Sequence, residues 1–177
     1  MSKSVMISIQ PRWCELIAKG EKTMEVRKTR PKLETPFKCY IYCTMDHPYI
    51  SVSCGELDKL NYRTNTVGRC NGKVIGEFTC DRIYGLAPLN HAPDDVEQQA
   101  CLTREEIVRY LKGVGYGWHI SDLQIYDKPK EISEFKKHSR ECYFDNLGMA
   151  TPKCSECTQC NLTRPPQSYC FVEALQT

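Results

Sequence analysis

The densest chemistry in the chain lies in Lys22-Thr23-Met24-Glu25-Val26-Arg27-Lys28, followed shortly by Arg30. Arg27 carries a planar fork that can grip a phosphate through two parallel hydrogen bonds. Lys22 offers a compact point charge. Glu25 can orient a cation or accept a hydrogen bond from a base amino group. Together with Lys28 and Arg30 they predict an anion site. The plainer alternative is a solvated strand face whose ion pair is worth at most about 1 kcal/mol. A second candidate is Tyr116-Gly117-Trp118-His119. Trp118 could stack on a base for roughly 1–3 kcal/mol, or fill a core. His119 beside a buried strand is more often simply satisfied there. Gln10 stands at a strand end, where it could read a base edge or cap a helix. In Arg164-Pro165-Pro166-Gln167-Ser168-Tyr169, two prolines fix an extended entry. They deliver Gln167 and Ser168 together, as a binding rim or as a plain connection.

A different chemistry is written in Cys142, Cys154, Cys157 and Cys160. Two overlapping CxxC steps sit in a polar stretch with no apolar pattern to bury them. Thiolates two residues apart can hold one tetrahedral ion, with Zn–S near about 2.3 Å. The expectation is one structural zinc. Cys142 is the fourth ligand, or failing that His138 or Cys170. The competing reading is a set of free thiols in a loop. A redox pair lacks the βαβ surroundings that such chemistry uses.

The elements that must position these groups can be read from periodicity. Val5 to Ile9 reads as a strand. Residues 11–19 read as a helix, with Pro11 in its first turn. Trp13, Leu16 and Ile17 recur on one face, which makes Trp13 a core candidate, and Gly20 is placed for a left-handed cap. From 23 to 28 the period becomes two, which turns Met24 and Val26 inward and Glu25 and Arg27 outward. Residues 37–44 form a buried strand. Asn71-Gly72 marks a turn before one long strand over 73–83, where Gly76 signals a bulge or close backbone approach. Residues 86–102 read as linker. Thr103 and Glu106 form a capping box for a helix through Lys112. Residues 116–127 read as a strand, 129–137 as a helical turn with Ile132 and Phe135 inward, and 169–174 as the closing strand.

The chain has 177 residues, enough for one domain with a real core. Its formal net charge of +2 gives no general argument for nucleic acid, so any such argument rests on local clustering. No apolar run approaches the roughly 18 residues needed to span a bilayer. The amino terminus lacks a signal-peptide core. These features predict a cytoplasmic protein with no membrane partner. Its twelve cysteines are then reduced thiols or metal ligands. Cys14, Cys39, Cys43 and Cys80 are read as small buried hydrophobes.

The pattern Gly20-x-Lys22-x-x-Glu25-x-Arg27, between a helix and a strand, resembles the signature of ASCH domains, which belong to the PUA-like group of small β-barrels. The strand 5–9 with Gln10-Pro11, and the late Tyr169-Cys170-Phe171-Val172, fit the same family. The resemblance covers about two thirds of the chain. Residues 44–70, 86–115 and the cysteine-rich 138–164 look like additions. It implies an α+β fold over 1–177: a single mixed or antiparallel β-barrel domain with peripheral helices, to which the cysteine spacing adds a zinc-stapled loop. It also implies that Lys22, Glu25 and Arg27 line a cleft for RNA or a nucleotide. Two hydrolytic alternatives come with the family. Some ASCH proteins resemble amidohydrolases of acetylated cytidine that use a lysine, a threonine and a glutamate. Lys22 matches the lysine and Glu77 could supply the glutamate, but Glu25 occupies the threonine position, unless Thr23 substitutes. Other relatives are regarded as ribonucleases, and a metal-assisted one would need carboxylates such as Glu25 and Glu77.

Overall fold

The structure is a computed structural model, and it describes residues 3–52, 70–86, 91–137 and 160–175. The described strands form two sheets. β1 (Lys3–Ile9), β3 (Phe37–Cys43), β4 (Val74–Cys80), β7 (Ser121–Lys130) and β8 (Tyr169–Glu173) make a five-stranded sheet in the order β7-β4-β3-β1-β8. Only the β1–β3 pair in it is parallel. β2 (Met24–Arg27), β6 (Tyr116–His119) and β5 (Ile83–Gly85) make an antiparallel three-stranded sheet in the order β2-β6-β5. The helices are α1 (Pro11–Ala18), α2 (Val96–Ala100) and α3 (Arg104–Leu111), with a 3-10 turn at Ile132–Glu134. None of the described helices is long and apolar enough to cross a membrane.

The fold is the expected mix of strands with peripheral helices, but among the described residues the two sheets do not close into one hydrogen-bonded barrel. The reason lies in two strands expected to be continuous. The run over 73–83 breaks at Asp81-Arg82, so β4 stays in the large sheet and β5 joins the small one. The run over 116–127 breaks at Ile120 in the same way, between β6 and β7. Both breaks lie at one corner, where the His119 N–H donates to the Arg82 carbonyl at 2.9 Å. There the ladders change partners, and the sheets face each other across a shared core.

That core takes Val5, Ile7 and Ile9 from β1, Cys39, Ile41 and Cys43 from β3, and Phe78 and Cys80 from β4. Cys14 and Ile17 of α1 and Trp118 of β6 join it. Burying each large apolar side chain stabilises the fold by roughly 1.5–3 kcal/mol. Cys14, Cys39, Cys43 and Cys80 are indeed fully buried. The opposite face of the large sheet packs Tyr40, Tyr42 and Val172 against Phe135 and Leu162. The outer face of the small sheet packs Met24 and Val26 against Val96, Ala100, Ile107 and Leu111 of α2 and α3. Gly76 has both features its position suggested. The β3–β4 register shifts beside it, and a Cβ there would sit 2.4 Å from the Gln124 carbonyl oxygen of β7.

Two expectations need correcting. Residues 86–102 are not all linker, because α2 lies within them and packs on β2. And β2 is not a surface strand. All four of its residues are buried, since α2 and α3 cover one face while Glu25 and Arg27 turn toward the space between the sheets. The Cys-rich expectation falls mostly on Cys142, Cys154 and Cys157, which, with His138, lie outside the described residues. Cys160 and Cys170 are described, and no group of three or more ligating side chains gathers among the described residues.

Candidate functional site

The site starts from the end of α1. Gly20 takes φ +74°, and its N–H and that of Glu21 donate to the carbonyls of Ile17 and Leu16, both at 2.9 Å. This left-handed turn stops the helix and throws Lys22 inward, with its own N–H at 3.1 Å from the Leu16 carbonyl. Thr23 is then fixed by backbone bonds, donating to Gln99 and accepting from Ile120, each at 2.9 Å. A cleft of about 490 Å³ opens beside Lys22, between the first turn of α1, β2, α3 and the end of β3.

Three charged side chains form its floor. Lys22 is only 2% exposed. Its Nζ donates to the Ala100 carbonyl at 2.7 Å, lies 3.6 Å from Glu25 Oε2, and stands 5.0 Å from the centre of the Trp13 ring. A terminal nitrogen of Arg27 donates to the Ser8 carbonyl. Arg27 Nε lies 3.0 Å from Glu25 Oε1, close enough for a strong charge interaction, yet its N–H has no aligned acceptor. Glu25 thus stands between two cations in a place nearly free of solvent. Burial pulls the Lys22 amine below the usual lysine range, and the Glu25 charge acts against that pull.

The walls bring together residues far apart in sequence. Gln10, Trp13, Thr44, Tyr110 and Gln167 line the cleft with Ser8. Gln10 caps α1 with its backbone carbonyl and makes no side-chain cap bond, which leaves its side chain for the cleft. Ser8 Oγ donates to the Pro166 carbonyl at 2.6 Å, and the Ser8 N–H donates to the Ser168 carbonyl at 2.9 Å. The Pro165-Pro166 segment is therefore clamped to β1 beside the cleft, with Gln167 on the rim. Asp46 and Glu106 also line it. Glu106 closes the expected capping box, accepting from the Thr103 N–H at 2.8 Å. Among the described lining residues there are two cations and three carboxylates, so by formal charge the cleft is not the basic one expected. Lys28 and Arg30 are exposed and lie outside the lining, with Lys28 Nζ 5.2 Å from the centre of the Tyr110 ring and the Arg30 guanidinium 5.8 Å from that of Tyr116.

The Tyr116–His119 strand does not supply a stacking surface. Trp118 is fully buried, with its ring 6.0 Å from Phe37 and 5.5 Å from Tyr169. It pairs with Glu25 across β2–β6, so it faces the inter-sheet core. Tyr116 packs against that core as well. His119 Nδ1 instead pairs with Asp81 at 2.6 Å, at the corner where the sheets part. Burial works to raise the Asp81 pKa, but the His119 bond and charge more than offset this and hold it below the usual carboxylate range. Ser168 contributes its backbone and does not line the cleft.

Glu77 is likewise placed elsewhere. It pairs with Tyr40 across β3–β4, on the face of the large sheet turned away from the inter-sheet core. There it binds Lys38 Nζ at 2.5 Å and the Tyr126 hydroxyl at 2.6 Å. It therefore does not join Glu25 in a catalytic pair or a two-carboxylate metal site, because side chains alternate between faces along a strand. Thr23 is not among the lining residues.

Sequence reasoning missed Ser8, Thr44, Asp46, Glu106 and Tyr110 as cleft residues, and favoured the core for Trp13, which lines the cleft. Tyr110 carried a signal. It is an exposed aromatic on the side of a capped helix whose inward positions are already filled by Ile107 and Leu111.

No protein-family model matches the chain, and no curated protein matches it. Solved structures do. A single-substitution variant of an ASCH protein from Zymomonas mobilis is 17% identical, with a TM-score of 0.57 over 97% of this chain and 91% of that one. The ASCH protein itself from the same organism is 17% identical, with a TM-score of 0.56 over 96% and 87%. A second variant is 18% identical, at 0.51 over 96% and 88%. At such low identity the likeness speaks for the fold alone, and what it establishes is that this chain has the architecture of the ASCH proteins.

Proposed function

We propose that the cleft beside Lys22 binds RNA or a nucleotide. One observation carries the reading: the Lys22–Glu25–Arg27 trio is desolvated at the cleft floor. Charges taken out of water are costly even when paired, and apolar residues of similar size often serve stability as well or better. A trio kept at a cleft floor has a use as a recognition surface. Trp13 and Tyr110 on the walls add flat surfaces for a base, and Gln10 and Gln167 add donors and acceptors at the rim. RNA comes before DNA on the strength of the family resemblance. The test is a titration with short RNA and DNA strands, and with mononucleotides, at low salt. Tyr110→Ala, at an exposed position, should weaken binding by about 1–3 kcal/mol if the ring stacks. Arg27→Ala should weaken it too. Absence of binding by every probe would refute the reading.

A hydrolase on the same fold is the second reading. The lowered pKa of the Lys22 amine favours it, since an amine easier to deprotonate is a better base. The hydroxyls lining the cleft among the described residues are those of Ser8, Thr44 and Tyr110. Ser8 Oγ is engaged by Pro166, and Thr44 Oγ1 lies 3.3 Å from Asp46. Hydrolysis of acetylated cytidine should be marginal, because Glu25 stands where the related enzymes place a threonine and a carboxylate repels a developing oxyanion. Turnover in the usual enzyme range of about 1–10³ per second, lost in Lys22→Met, would make this the better reading.

A further inference from the structure

We infer that the cleft takes an uncharged base edge and leaves phosphate outside, on a ledge made by Lys28 and Arg30. The inference rests on the nucleotide-binding reading of the same cleft and names which part of the ligand enters it.

The floor argues first. Both buried cations already face Glu25, and each also donates to a backbone carbonyl. What remains is a carboxylate flanked by the Lys22 ammonium and the Arg27 guanidinium, each with N–H groups beyond those carbonyl bonds. An acceptor set between donors matches a base edge, which presents N–H donors beside carbonyl or ring-nitrogen acceptors. It does not match a phosphate, which brings only acceptors and negative charge. A phosphate entering here would meet Glu25, and it would pass Asp46 and Glu106 on the way in. Hydrogen bonds from Thr103 hold the Glu106 carboxyl below the usual range, with a smaller contribution from the Arg109 and Arg12 charges, and neither arginine is among the lining residues.

The ledge argues second. Lys28 and Arg30 follow directly on β2, are exposed, and stand against the rings of Tyr110 and Tyr116. Tyr110 belongs to the cleft wall. A base seated against that wall would place its sugar and phosphate toward Lys28. Exposed cations of this kind hold phosphate weakly and lose it to salt.

The experiment compares a nucleoside, its triphosphate, inorganic phosphate and a short RNA strand on the full chain, by calorimetry or competition. Near physiological salt, nucleoside and triphosphate should bind within about threefold of each other, since the ledge contacts are screened there. Inorganic phosphate should not displace the nucleoside. Asp46→Asn with Glu106→Gln, the glutamine retaining the capping box, should shift the preference several-fold toward the triphosphate. Lys28→Ala with Arg30→Ala should weaken the RNA strand and flatten its salt dependence by a slope of roughly one to two. A triphosphate held about tenfold or more above its nucleoside at that salt, with phosphate competing, overturns the inference and leaves the binding reading standing. If none of the probes binds, both fall.

Discussion

Replacing Glu25 by glutamine tests the floor of the cleft directly. Glu25 is 6% exposed and is the carboxylate facing both Lys22, at 3.6 Å, and Arg27, at 3.0 Å. Glutamine keeps the shape and one acceptor oxygen but removes the charge. Two nearly buried cations then face each other without a counter-charge. Removing one partner of a buried pair typically destabilises by about 3–5 kcal/mol. The retained acceptor lowers this, and the second stranded cation raises it, so about 3 kcal/mol is expected. In a domain of this size that is roughly 6–12 °C in Tm. The pH dependence gives an independent sign. Folding depresses the Lys22 pKa, because burial outweighs the Glu25 charge. The unfolded chain therefore holds the proton up to the ordinary value of about 10.4 while the folded one releases it earlier. Stability should rise with pH between the depressed pKa and that value, and fall as pH drops through the window. In Glu25→Gln the opposing charge is gone, so the window should extend to lower pH. Urea unfolding of both proteins across neutral to alkaline pH reads both effects. A loss under about 1 kcal/mol, with an unchanged pH profile, would show that the three charges do not act as a buried unit.

Two other outcomes are expected, the first from the placement of Trp118 and the second from the cysteine spacing. Trp118→Ala should destabilise by about 3–5 kcal/mol as a core truncation, whereas Trp118→Phe, if folded, should leave RNA affinity within a factor of about two; a loss as large as that of a stacking platform would put Trp118 back in the cleft. Metal analysis of protein purified without added metal should find about one zinc, bound by Cys142, Cys154, Cys157 and Cys160, and substoichiometric zinc with freely titrating thiols would end that expectation; zinc unaffected by Cys142→Ser would point to His138 or Cys170.

Local signals carried much of the fold. The capping box at Thr103 and Glu106, the glycine stop at Gly20 and the close approach at Gly76 each have a short-range cause, and each is where its sequence placed it. The sheet changes were not legible. Consecutive polar residues at Asp81-Arg82 and Ser121-Asp122 interrupt the alternation, but an interruption alone does not say that the chain leaves one ladder for another. The site divides in the same way. Lys22, Glu25 and Arg27 were found because they share one stretch of chain. Their burial was not, because α2 and the large sheet cover β2 from distant parts of the sequence. Trp118 and Glu77 failed for a simpler reason. Period-two alternation says that neighbours face opposite ways, but not which way has water.

The corner where both sheet changes occur has a consequence for how the molecule opens. The small sheet, α2 and α3 share their own apolar cluster, and they meet the rest through the inter-sheet core, the two short crossings and the connections of β2 to α1 and β3. Proteins release such units separately, at free energies below that of full unfolding. The cleft residues straddle this division: Ser8 and Thr44 belong to one side, and Glu25, Arg27 and Tyr110 to the other. A ligand seated there would act as a latch. Amide hydrogen exchange should then slow across β2, β6 and α3 together when the cleft is filled, including at amides far from any bound atom.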